Sequence, residues 1–461
     1  MRWLGLGSQR WLCAALVLAG LGLVDDSRGA PVAARADAQP RDGTAAPVEI
    51  RLEIDMGDEV AAGRFRPDQG DTLGLRGGWW PLQWQRSVTL ARREGSAWWE
   101  LTLRVAQPPV GGQPIPHKLR IERAGQGPEA GWEEGANRLL PTATPSLTLR
   151  RRFNAPPELA PVQRTGDIEN LGPVASAHVD ARRVQVWLPP GYHTQPERRW
   201  PVLYLHDGQN VFDAQAAGSE WRFDETAQRL ALAGVIAPPL IVAVDSTAQR
   251  VRDYTPTAQP APSGTGAAGA PAATWGGGAP AYGRFLLDEL KPLIDARYRT
   301  RPGVADTAVG GSSLGGLVSL WLALEYPQRV GAALVVSPSL WWDDQWALRR
   351  VQAGQVGGDA GGQAPAAASS PDATAGASIT TPAPPGRPRL WLDIGLHEGP
   401  QALADTRALR AALQAQGWLG RLMTTAEDPV GTHSELAWAG RVEAMLLFLY
   451  GRRGVTPVVV D

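Results

Sequence analysis

A serine between glycines, a late histidine and a carboxylate lying between them in sequence are the residues of this chain best suited to acyl transfer. Gly311-Ser312-Ser313-Leu314-Gly315 satisfies G-x-S-x-G with Ser313 at the centre, and Ser312 is the rival serine outside that position. The pentapeptide alone says little in a chain with 53 glycines. Its setting adds weight: Thr307-Ala308-Val309 reads as a short strand and a helical stretch opens at Leu314, so Ser313 falls on a strand–turn–helix. A neutral hydroxyl is a weak nucleophile and needs a base beside it. Among the 6 histidines, His433 sits in Gly431-Thr432-His433, after the strand-like Arg421–Thr425 and before the last helical stretch. That is the place of the base in the order serine, acid, histidine. The acid is expected after the run Leu390–Ile394, where Gly395-Leu396-His397-Glu398 offers Glu398; Asp393 falls within that strand and Asp405 in the following helix. A tetrahedral oxyanion requires N–H donors. One is Leu314, at a helix N-terminus. The other is expected from His206-Asp207-Gly208-Gln209-Asn210, with Gly208 and Gln209 as candidates and Gly208 suited to close backbone approach to a ligand.

These residues need a scaffold, and the pattern from Val184 onward supplies one. Val184–Leu188 reads as a strand ended by Pro189-Pro190-Gly191, while Pro201–Leu205 and Leu240–Val244 are apolar runs of buried-strand length. Helical patterns at Phe285–Tyr298, Leu314–Tyr326, Leu403–Gln416 and Leu436–Tyr450 alternate with short apolar runs at Ala332–Val336 and Leu390–Ile394. The alternation predicts an α/β fold, a mostly parallel sheet with helices on both faces. Pro256–Pro280 and Ala353–Pro388 are Ala/Gly/Pro-rich inserts with little to bury, read as surface insertions, with a lid as the alternative. Upstream, Val48–Ile54 alternates apolar with polar residues, and Ser87–Leu90, Trp98–Val105 and Lys118–Ile121 repeat the theme between turns. Residues 48–152 are therefore expected to form a small all-β sandwich.

Composition narrows the function. With 45 basic and 46 acidic residues the chain lacks the concentrated positive charge of a nucleic-acid binder or a polybasic membrane surface. Arg2 and Arg10 precede the apolar run Trp11–Val24 and the small-x-small stretch Ala34-Arg35-Ala36. Residues 1–36 read as a secretory signal peptide and 37–47 as a linker, giving a secreted or periplasmic protein. The apolar run is shorter than the about 20 residues of a bilayer span, so no stable membrane insertion is expected once the signal is removed; an uncleaved anchor is the alternative. Cys13 is the single cysteine, which leaves the mature chain without disulfides, thiolate metal sites or a cysteine nucleophile.

Val184–Tyr192, Pro201–Asp213, Arg252-Asp253-Tyr254-Thr255-Pro256, Gly311–Gly316 and Gly431-Thr432-His433 with Trp438 together resemble the esterase family of enterochelin esterases and esterase D, over about residues 175–451. The resemblance implies an α/β-hydrolase fold, ester hydrolysis with no metal or organic cofactor, and a Ser313–His433 pair; the acid varies within that family. Leu82-Gln83-Trp84, His117-Lys118-Leu119 and Gly131-Trp132-Glu133 with Asn137-Arg138 are similar to starch-binding modules of family 20. That similarity implies a sugar platform of Trp84, Lys118 and Trp132 and an α-glucan as partner. The alternatives are tryptophans that pack a core, or Trp79 or Trp80 in place of Trp84. The expectation is a serine esterase acting on a siderophore-type small molecule or a glycan-linked ester. Its rival is a glycan-binding protein with a catalytically idle hydrolase domain.

Overall fold

The structure, a computed structural model, describes residues 46–109, 112–127, 130–135, 137–155, 164–214, 219–260, 274–355 and 387–452. The expected signal peptide, most of the linker and the bodies of both inserts (261–273 and 356–386) lie outside the described residues. Two compact units are present: one holds the described residues up to Gly77 and from Trp84 to 155, the other Gly78–Gln83 and the described residues from 164 onward. No described helix is long and apolar enough to cross a membrane.

In the first unit the strands are β1 (Val48–Asp55), β2 (Thr72–Gly77), β3 (Val88–Thr89), β4 (Ala91–Arg92), β5 (Trp98–Val105), β6 (Ile115–Glu122), β7 (Arg138–Leu140) and β8 (Ser146–Arg152). They form two four-stranded sheets, β4-β5-β1-β8 and β3-β2-β6-β7. β1 pairs antiparallel with β5 but parallel with β8. A short helix α1 (Gly57–Ala61) follows β1, so the unit is not purely β.

The second unit is built on an eight-stranded sheet. Its strands are β9 (Asp167–Val174), β10 (Arg182–Leu188), β11 (Val202–His206), β12 (Leu240–Val244), and then, after a separate two-stranded ribbon of β13 (Ala258–Pro260) and β14 (Thr274–Gly276), β15 (Thr307–Ser312), β16 (Ala332–Val336), β17 (Arg389–Gly395) and β18 (Met423–Asp428). The spatial order is β18-β17-β16-β15-β11-β12-β10-β9. Pairings from β12 through β18 are parallel, while β10 runs antiparallel to both β12 and β9, so the sheet is mixed at one edge. Helices are α2 (Phe223–Leu232), α3 (Arg250–Asp253), α4 (Ala279–Arg284), α5 (Lys291–Arg297), α6 (Leu314–Glu325), α7 (Trp342–Gln352), α8 (Pro400–Ala415), α9 (Glu435–Ala439) and α10 (Val442–Tyr450), with Phe285–Leu290 wound as π-helix between α4 and α5. The helical pattern at Leu436–Tyr450 is thus broken in two at Gly440-Arg441.

Strand alternation explains why the central strands are apolar throughout. Val202 and Tyr204 of β11 join the core with α6, α8 and the α4–α5 stretch, whereas Leu203 and Leu205 join a second core with α2 and α10. Successive side chains point to opposite faces, and both faces are covered. The carboxyl ends of β11, β15, β16, β17 and β18 therefore emerge along one edge of the sheet, where open α/β sheets present their ligands' sites.

Candidate active site

Ser313 follows β15 directly and precedes α6, with φ 58° and ψ −121°. An L-residue is rarely held there, and tight packing around it accounts for the strain. A Cβ on Gly311 would lie 2.9 Å from the Gly315 carbonyl carbon, and one on Gly316 would lie 2.8 Å from Val336 O. Small residues are thus demanded where strand, turn and helix meet. Ser313 N–H donates to Val336 O at 3.0 Å, and Ser339 N–H donates to Ser313 O at 3.0 Å. The Ser313 and Ser339 hydroxyl oxygens are 3.1 Å apart. Leu314 is the first residue of α6, so its N–H has no carbonyl one turn back to meet.

The loop after β11 passes close to that helix start. A Cβ on Gly315 would be 3.4 Å from Asp207 Oδ2. Asp207 is left-handed (φ 55°, ψ 46°), and its carboxylate takes a bidentate pair from Arg250 at 2.7 and 2.8 Å. Burial alone would raise the Asp207 pKa, but the Arg250 guanidinium outweighs it and holds the carboxyl below its usual range. Asn210 N–H closes onto Asp207 O and Val211 N–H onto Gly208 O, which leaves the Gly208 and Gln209 amides at the open end of the turn. The missing side chain of Gly208 accommodates β12, since a Cβ would meet Val244 N at 2.5 Å, so close packing there demands glycine. The Gln209 side-chain carboxamide donates to Ser246 Oγ at 2.9 Å and accepts from Ser246 N–H at 3.0 Å.

Glu398 and His433 meet at the ends of β17 and β18. Glu398 Oε2 lies 2.7 Å from His433 Nδ1. That contact assigns the proton to Nδ1 and leaves Nε2 as the basic nitrogen. Glu398 Oε1 accepts from Ser337 Oγ at 2.6 Å and Gly395 N–H at 2.8 Å. Its side chain is 1% exposed, which by itself would raise its pKa. His433, Arg441 and Ser337 reverse that, and the carboxyl is held below its usual value. Trp438 stands edge-on to the His433 ring, with centroids 5.1 Å apart, and donates Nε1–H to Ser337 Oγ at 3.0 Å. Arg441 donates to Ser337 Oγ at 3.2 Å and Asp393 Oδ1 at 2.9 Å. Asp393, the rival carboxylate, is fully buried inside β17 and is raised to about 6 by burial, with Arg441 opposing. Asp405 lies in α8 and accepts from Gln345 and Gln401.

The edge of the sheet thus gathers Ser313, Leu314, the 207–210 loop, Glu398 and His433 within one unit. Sequence reasoning missed Ser337, Ser339 and Arg441. Ser337 and Ser339 had a readable signal: one hydroxyl directly follows a buried run, β16, and a second comes two residues on, beside the strand that leads to Ser313. Among the described residues, no group of three or more His, Cys, Asp or Glu is placed to hold a metal ion.

The family model described as "Putative esterase" matches residues 176–449, more than half of the chain. The chain belongs to this family. Ferri-bacillibactin esterase BesA of Bacillus subtilis is 31% identical over 168 residues, 34% of this chain and 53% of that protein. The siderophore triacetylfusarinine C esterase of Aspergillus fumigatus is 29% identical over 156 residues, 33% of this chain and 49% of that protein. The chain spans about half the length of these two curated relatives. Among solved structures, the Shigella flexneri enterobactin esterase crystallised with enterobactin aligns with a TM-score of 0.53 and 16% identity, over 82% of this chain and 87% of that one. At that identity the likeness concerns the fold.

Trp84, Lys118 and Trp132 all lie in the first unit. The Trp84 and Trp132 rings are 6.4 Å apart and tilted by 55°. The guanidinium groups of Arg76 and Arg120 lie over the Trp132 ring at 5.2 and 5.5 Å, and Lys118 Nζ donates to Gly135 O at 2.6 Å. Trp132 is therefore already engaged by protein cations.

Proposed function

We propose that this member of the esterase family hydrolyses carboxylic esters by a serine acyl-enzyme route. The observation that carries the reading is the buried Glu398 carboxylate on His433 Nδ1, which frees Nε2 to act as base on the same sheet edge as Ser313. Ser313 Oγ attacks the acyl carbon as His433 Nε2 takes its proton, and the carbonyl oxygen becomes the oxyanion. Leu314 N–H and an amide of Gly208 or Gln209 receive that charge. Collapse breaks the bond to the alcohol, which leaves with the proton from His433. Water, activated by the same nitrogen, then attacks the acyl-serine and releases the acid.

The siderophore esterases among the relatives support an ester siderophore as the substrate, ahead of a glycan-linked ester. Ser313→Ala is expected to lower hydrolysis of p-nitrophenyl acetate by about 10⁴-fold, and wild-type protein should gain a fluorophosphonate adduct at Ser313. Undiminished turnover by the variant would overturn the mechanism; an unlabelled wild-type Ser313 would favour the idle-domain alternative. Mass analysis of the products from a ferric triester siderophore tests the substrate. Export goes with this reading, and a mature N-terminus just after Ala36 is its test.

A further inference from the structure

The stretch Gly78–Gln83 interrupts the first unit in sequence yet belongs to the second by its contacts. Its Gly78 carbonyl accepts two hydroxyl hydrogen bonds, from Thr432 Oγ1 at 2.6 Å and from Ser434 Oγ at 2.5 Å. These two residues flank His433, and both are buried. Two residues on, the Trp80 ring lies on the His397 ring with centroids 3.7 Å apart and planes 11° from parallel. His397 precedes Glu398, and burial lowers its pKa, which favours the neutral ring for stacking. The two loops are also bonded to each other, through His397 N–H on Gly431 O at 3.0 Å. A short strap thus touches the loop of the acid with a ring and the loop of the base with a carbonyl.

We propose that Gly78–Gln83 is a positioning element for the Glu398–His433 pair, with Trp80 and the Gly78 carbonyl as its two points of hold. This rests on the catalytic reading above. A small misplacement of a base relative to its nucleophile costs rate rather than ground-state binding. Trp80 is 40% exposed, so its removal need not open a core.

The test compares Trp80→Ala, Trp80→Phe and Thr432→Val with wild type in the full chain, using p-nitrophenyl acetate and a thermal melt as a folding check. Trp80→Ala should lower kcat on the order of 10-fold to 100-fold with KM within about twofold. Trp80→Phe should restore most of the rate by keeping a stacking ring. Thr432→Val, which keeps the side-chain shape and removes one donor to Gly78, should lower kcat with KM unchanged. Wild-type kcat in both Trp80→Ala and Thr432→Val overturns the proposal. So does a raised KM at constant kcat, which would make Trp80 a substrate contact, or a rate loss matched by loss of folded protein in all three variants. Should Trp80→Ala and Thr432→Val both be fully active while Ser313→Ala is dead, this inference alone falls. Wild-type hydrolysis by Ser313→Ala would instead remove the catalytic reading beneath it.

Discussion

The two halves of the candidate site are held by different physics. The turn that carries Ser313 is fixed by main-chain sterics: Gly311 and Gly316 let strand and helix approach until a methyl group would collide with backbone. The loops that carry Glu398 and His433 are fixed by buried charge instead. Arg441 reaches Asp393 at 2.9 Å and stands 3.8 Å from both Glu398 and Asp428, with Ser337 and Trp438 completing the hydrogen bonds. A steric clamp tolerates changes of pH but no added volume. A charged clamp tolerates small changes of shape but not the loss of one partner, because buried charge without its counter-charge is costly. The Ser313 side is thus sensitive to size and the Glu398–His433 side to ionisation.

The largest expected effect tests the charged side. Glu398→Gln keeps the shape but removes the charge that holds the His433 tautomer, and kcat on p-nitrophenyl acetate should fall by about 10⁴-fold. A loss below tenfold would show that another carboxylate orients the imidazole. Next in size, Arg441→Met leaves Asp393 buried without its cation and should destabilise the second unit by about 3–5 kcal/mol in urea unfolding. An unchanged midpoint would mean that the cluster contributes shape alone. On the steric side, Gly311→Ala should cost about 1–3 kcal/mol by overpacking, with activity lost at every pH measured rather than along a titration.

The smallest effect sharpens the contrast through pH. Asp393 is raised from 3.8 to about 6, so between those values the folded chain holds a proton that the unfolded chain has released. Its contribution to stability therefore declines as pH rises from about 4 to about 6, by on the order of 1 kcal/mol per pH unit at most. Glu398 has the opposite sign: its lowered pKa adds stability above the unfolded value, and that is lost as pH falls through the folded one. Asp393→Asn should remove the first slope, between about pH 4 and 6, and leave the second, which lies below the unfolded Glu398 value of 4.5, in denaturation midpoints followed from neutral pH down into the acid range below that value. If the variant kept the wild-type slope, Asp393 would not be the titrating group.

The same contrast explains what could be read from the chain itself. The Ser313 turn is local, so Thr307–Gly316 carries its strand, its small residues and its helix start in consecutive positions. Glu398 and His433 were legible as loop residues after two strands. What keeps them together was not, because Ser337 is 61 residues from Glu398, and Arg441 is 48 from Asp393. Gly78 is further still, 354 residues from Thr432, and a backbone carbonyl leaves no mark of its role in a sequence. Helix α2 was legible and overlooked, since Phe223, Ala227 and Leu230 recur at helical spacing and all three are buried. The antiparallel β9, half exposed along its length, lacks the buried-run pattern that marked the central strands.

The small β13–β14 ribbon has a practical consequence. Pro260 and Thr274 are cross-strand partners, so the chain enters and leaves residues 261–273 at neighbouring points, about 5 Å apart for paired strands. A span with adjacent ends is a natural port for grafting. A reporter domain or affinity tag whose own termini lie close together could replace it without altering the spacing of the flanking chain. The seat itself must stay, because at Gly276 a Cβ would fall 2.3 Å from the Trp342 ring. Fusions should therefore begin after Pro260 and end before Thr274.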